Sequence, residues 1–69
     1  MSAAILDVTL DQQIACVKRE LKLRRSVYPA LVGNKRMSQL DADIQISHME
    51  AVLKTLERLH GEEQGALFL

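Results

Sequence analysis

Leu31-Val32-Gly33-Asn34-Lys35-Arg36-Met37-Ser38-Gln39-Leu40-Asp41 is the stretch that decides the fold. One helical apolar pattern runs into it and a second leaves it. Gly33 and Asn34 both tolerate left-handed backbone, so the first helix is expected to end on them. Ser38 restarts the pattern. Its hydroxyl can accept from the N–H of Asp41, and Asp41 and Asp43 place negative charge at the positive end of the new helix dipole. The connection, roughly Gly33 to Met37, is short, and short connections join antiparallel neighbours.

Upstream, Thr9 and Gln12 have the spacing of a capping box, and Asp11 suits the first turn of a helix. Apolar residues recur at Leu10, Ile14, Val17, Leu21, Tyr28 and Leu31, a helical stripe in which Arg24 fills the skipped position. The arginine stem can pack there while its guanidinium reaches water. A second stripe follows Cys16, Leu23, Val27 and Ala30 on an adjacent face. Pro29 cannot donate to the carbonyl of Arg25, yet the main stripe stays in phase to Leu31. A kinked helix to about Val32 is therefore expected.

Downstream, the main stripe is Ala42, Ile46, Met49, Val52, Leu53, Leu56 and Leu59, with a second through Leu40, Ile44, Ser47 and Ala51. Glu50 with Lys54 and Arg58 with Glu62 are spaced for ion pairs within the helix. Gly61 is the expected stop, and His60 then caps the C-terminus, where a cation is favoured. Val and Ile never alternate with polar residues over a useful length, so no strand is expected.

The fold class is all-α: an antiparallel helical hairpin, residues about 10–32 and 39–60, within a domain of residues 1–61, followed by a C-terminal tail, 62–69. Residues 1–8 read as a loosely held arm. Each helix has more apolar width than one partner helix covers, and a lone hairpin would leave a stripe on each helix wet. Pairing of two hairpins into a four-helix bundle removes that liability, so a homodimer is expected. Ile14, Val17, Leu21, Leu23, Val27, Ile44, Met49, Val52, Leu53, Leu56 and Leu59 form its core or dimer contacts.

Sixty-nine residues allow one domain. A chain this short has little core of its own and is often stabilised by a partner. Cys16 is the single cysteine, which excludes an internal disulfide and a cysteine-built zinc site and fits a reducing compartment. The start, Met1 to Leu6, lacks the basic residue and apolar length of a signal peptide, and no stretch has the apolar length of a membrane span. The expected location is the cytoplasm, without membrane attachment.

Nine basic and nine acidic side chains cancel, but they are segregated. Lys18, Arg19, Lys22, Arg24, Arg25, Lys35 and Arg36 lie in one segment with only Glu20 opposing them, while Asp41, Asp43, Glu50, Glu57, Glu62 and Glu63 follow against Lys54 and Arg58. A basic helix facing an acidic one is the simplest consequence. In the competing reading, Lys18, Lys22, Arg25, Lys35 and Arg36 are phosphate contacts of a nucleic-acid accessory protein, doubled by dimerisation. Tyr28 and Phe68 are the only aromatic rings, so base stacking on single strands is unsupported. Two long helices also offer no separate recognition helix. Tyr28 and Pro29 read as structural, with the ring covering the hairpin end.

An enzyme is not expected. Gly33, Gly61 and Gly65 are isolated and make no phosphate loop. Ser26, Ser38 and Ser47 have no supporting His–Asp arrangement. His48 and His60 are twelve apart, which is not a metal-ligand spacing on one helical face, and His48 reads as a solvated flank. No catalytic residue, metal or cofactor is expected.

Val27-Tyr28-Pro29, Lys35-Arg36-Met37, Ala42-Asp43 with Ile44 or Ile46, Met49, Ala51-Val52, Thr55-Leu56 and Leu59 together resemble a small family of helical proteins encoded in phages and prophages of proteobacteria. The resemblance covers about half the chain and implies a phage accessory protein. The family brings no established activity, so no site residue is carried over. At the tail, Gln64-x-x-Leu67-Phe68, followed by Leu69, resembles the short peptide by which bacterial replication and repair proteins dock on the polymerase sliding clamp. That resemblance implies that Gln64 hydrogen-bonds at a pocket rim while Leu67 and Phe68 fill an apolar pocket, two anchors on a flexible tether. Gly65 and Ala66 depart from the motif, which prefers Leu and then Ser or Asp there, and they weaken the expected affinity. The alternative for Ala66, Leu67, Phe68 and Leu69 is that they fold back and cover the second apolar stripe.

Overall fold

The computed structural model describes residues 7–67, with side chains for residues 7–65. It contains two helices, α1 (Leu10–Gly33) and α2 (Gln39–Leu67), packed side by side as an antiparallel hairpin, and the described residues include no strand. The expected hairpin is therefore present.

The start of α1 is built as its residues dictate. Gln12 N–H donates to Thr9 Oγ1 at 3.1 Å and Thr9 N–H donates to Gln12 Oε1 at 2.9 Å, closing the capping box. The helix runs through Pro29 without interruption. It ends one residue later than expected, and neither Gly33 nor Asn34 takes the left-handed conformation. Lys35 does, with φ of 63°. The hydrogen bonds give the reason. Arg36 N–H donates to the Leu31 carbonyl at 2.9 Å and Lys35 N–H to the Val32 carbonyl at 3.1 Å, the paired bonds of a Schellman ending. That motif places its left-handed residue where Lys35 stands. Asn34 Oδ1 also accepts from Arg36 N–H at 3.2 Å, and Ser38 Oγ then accepts from Asp41 N–H at 3.0 Å to open α2.

Gly61 does not stop α2, which continues to Leu67 and absorbs most of the segment expected to be a separate tail. One glycine inside a helix costs about 1 kcal/mol relative to alanine. Here Leu59, Glu62, Glu63 and Gln64 around it favour helix, and the Arg58–Glu62 pair, at 3.2 Å, spans it. His60 is consequently not a C-terminal cap.

The seam between the helices follows a strict three-and-four spacing. Leu10, Ile14, Val17, Leu21, Arg24, Tyr28 and Leu31 are buried or half-buried in α1, as the main stripe anticipated. In α2 the corresponding residues are Ala42, Ile46, Met49, Leu53, Leu56 and His60. Val52 and Leu59, expected in that stripe, lie outside it and are exposed. The spacing explains the correction: both fall one residue short of the inward positions taken by Leu53 and His60. Among the described residues only Leu21 and Ala42 are buried.

Candidate interaction surface

Charge marks one edge of the hairpin. Lys18 Nζ lies 3.8 Å from Glu57 Oε2, and Arg25 pairs with Glu50. The expected basic helix facing an acidic one is realised in these two bridges. Glu50 reaches across to Arg25 rather than along α2 to Lys54, so the anticipated Glu50–Lys54 pair does not form. These exposed bridges contribute little stability, about 0–1 kcal/mol each.

Two residues beyond each bridge member, about 200° further round the helix, come Glu20, Val27, Val52 and Leu59. The opposite edge therefore belongs to them. Leu23 is 55% and Val52 48% exposed, and Val27, Leu59 and Ile44 are each 41% exposed. The exposed residues Cys16 and Ala30 extend this apolar surface along α1. Leu23, Val27 and Ile44, expected in the core or the dimer contacts, thus lie on the open surface of the hairpin together with Val52 and Leu59.

One ion pair sits inside this apolar edge. Arg24 Nη1 donates to Glu20 Oε2 at 2.8 Å and to the Glu20 carbonyl at 3.3 Å. Glu20, Leu23, Arg24, Val27 and Tyr28 line one shallow groove of about 250 Å³. The hydrogen bond that Arg24 donates to Glu20 raises the Arg24 pKa above its ordinary value; burial opposes the rise and Tyr28 adds to it. Sequence reasoning took Arg24 only as a stem that packs and missed its partner. The four-residue spacing from Glu20 was the available signal. It also missed the open end of the hairpin, where His60 Nε2 lies 2.8 Å from Asp11 Oδ1.

The candidate phosphate contacts do not converge. Lys18 and Arg25 are engaged with Glu57 and Glu50, Lys22 is exposed along α1, and Lys35 and Arg36 are exposed in the turn. Among the described residues, none of the ion pairs involves Lys22, Lys35 or Arg36, and no group of three or more metal-ligating side chains occurs. No described helix is long and apolar enough to cross a membrane. His48 is exposed on α2, as expected of a helix flank.

Of the tail residues, Gln64 is exposed near the end of α2 and Leu67 is the last helical residue. The side chain of Leu67, and Phe68 and Leu69 altogether, lie outside the described residues. No protein-family model, curated protein or solved structure matches this chain.

Proposed function

We propose that this chain is a non-enzymatic protein–protein interaction module of phage or prophage origin, working as a homodimer in which two hairpins pair into a four-helix bundle. The observation that carries the reading is the asymmetry of the two edges, one ion-paired and the other apolar. A helical layer buries its apolar stripe against a second layer, and the hairpin is a single layer. The apolar edge also has the composition of an interface core, with aliphatic residues and few charges, the Glu20–Arg24 pair neutralising itself. Sedimentation equilibrium tests it. The expected mass is twice the 7.8 kDa of one chain, falling to one chain in a Val27→Asp, Val52→Asp variant. A monomeric wild-type chain at high micromolar concentration would overturn the dimer.

A second reading concerns what the dimer holds. Gln64 stands exposed in a stretch of α2 that carries Gly61 and Gly65, each of which lowers helix stability by about 1 kcal/mol relative to alanine. These turns are the ones most easily unwound, which supports a docking role for Gln64, Leu67, Phe68 and Leu69 on a host sliding clamp. Binding of the full chain to purified clamp, beside a Leu67→Ala, Phe68→Ala variant, tests it. Equal binding by both, or none by either, removes the tail from the function. The nucleic-acid alternative is less well supported, because two of its five candidate cations are already bridged to glutamates.

A further inference from the structure

The Glu20–Arg24 pair is a charged feature set among the apolar side chains of Leu23, Val27 and Tyr28. Both side chains are partly exposed in the single hairpin, and the pair stands at the middle of α1 (Leu10–Gly33). Val52, on the same edge of α2, stands close to the middle of the hairpin as well. Two copies that meet face to face by a twofold repeat the same contacts in both directions, and residues near the axis meet their own counterparts. An antiparallel pairing with full overlap puts that axis at mid-hairpin. A shifted overlap would leave Val27 or Leu59 wet at the ends.

We infer that in the dimer the Glu20–Arg24 pairs of two copies meet across the twofold and form a four-membered network, Glu20 of each copy facing Arg24 of the other. The inference rests on the dimer reading above and adds the orientation of the partner and the residues that select it. The chemistry favours this arrangement over simple burial. An ion pair taken out of water loses hydration that one intrahelical partner does not replace, whereas a second opposite charge supplies hydrogen bonds to the remaining carboxylate oxygen and guanidinium N–H groups. Parallel pairing would set the pair against Val52 of the partner subunit instead of against its own counterpart, and a partner displaced by a heptad would set it against Val27; neither satisfies it. The network therefore acts as a register device, the role best attested for a polar group within a helical seam.

Mixing experiments test this. Glu20→Arg and Arg24→Glu are made singly, and together in one chain. Each single variant sets like charges across the axis, and its dissociation constant is expected to rise roughly a hundredfold. The two singles mixed in equal amounts are expected to form a heterodimer, because each now carries the charges the other lacks. The double variant, which keeps the four-residue pair in its own helix, is expected to dimerise like the wild type. If the wild type dimerises but the mixed singles do not pair, or if the singles still dimerise as wild type does, the pair acts only within its own helix and the network is wrong while the dimer stands. A monomeric wild type would remove both.

Discussion

His60 Nε2 and Asp11 Oδ1 lie 2.8 Å apart, closing the open end of the hairpin opposite the turn. The two partners differ in setting. The His60 side chain is 29% exposed and continues the inward stripe after Leu56, while Asp11 is 79% exposed. A hydrogen bond to so exposed a carboxylate is worth little against water. His60→Leu is accordingly expected to stabilise the hairpin by about 1 kcal/mol, through added apolar burial. Asp11→Asn is expected to change stability by less than about 0.5 kcal/mol. Thermal unfolding followed by circular dichroism reads both, and a lowered midpoint for His60→Leu would show that the polar contact outweighs the burial.

The left-handed backbone at Lys35 makes a separate prediction. A non-glycine residue there carries a steric cost of about 1–2 kcal/mol. Lys35→Gly is expected to recover about 1 kcal/mol of it, less the extra freedom glycine gains in the unfolded chain. Gly33 has no positive φ and a Cβ built on it meets nothing within 4 Å. Gly33→Ala should therefore stabilise rather than strain the turn. Urea midpoints that rise with unchanged slope would bear this out.

Gly61 and Gly65 are helical, and both have open space where a Cβ would go. Gly61→Ala with Gly65→Ala is expected to slow amide exchange across the last turns of α2 by roughly tenfold or more, since each change adds about 1 kcal/mol of local helix stability. If the tail docks only after leaving the helix, the same double variant binds the sliding clamp more weakly than the wild type. Stronger or equal binding would mean that the helical form docks.

Burial ranks the apolar positions. Leu21 is 3% and Leu40 69% exposed. Leu21→Asp and Leu56→Asp are expected to unfold the chain or abolish association, because an aspartate at the seam is an unpaired buried charge. Leu40→Asp, at the first turn of α2, should be tolerated and even suit the helix dipole. Melting and solution mass unchanged by Leu21→Asp would sink the assignment of the seam.

Much of this fold was legible because it is local. The Thr9 capping box, the Ser38 cap and the α1 stripe from Leu10 to Leu31 depend on neighbours three or four residues away, and all three stand as expected. The misreadings occurred where several signals compete. Gly61 looked like a stop because glycine is a weak helix former, but its flanks and the Arg58–Glu62 pair outweigh it. Val52 and Leu59 looked inward because apolar residues at adjacent positions give a sequence two equally good stripes. Only the packing of α1 against α2 selects Leu53 and the position of His60 instead.

The sequence by itself determined two amphipathic helices, a short turn between them and more apolar surface than one hairpin can bury, because helix periodicity and capping are written in residues close along the chain. Only the tertiary structure decided which edge is charged and which is apolar. That choice depends on register across the seam, where Lys18 meets Glu57 and Arg25 meets Glu50 at separations along the chain that no local pattern records.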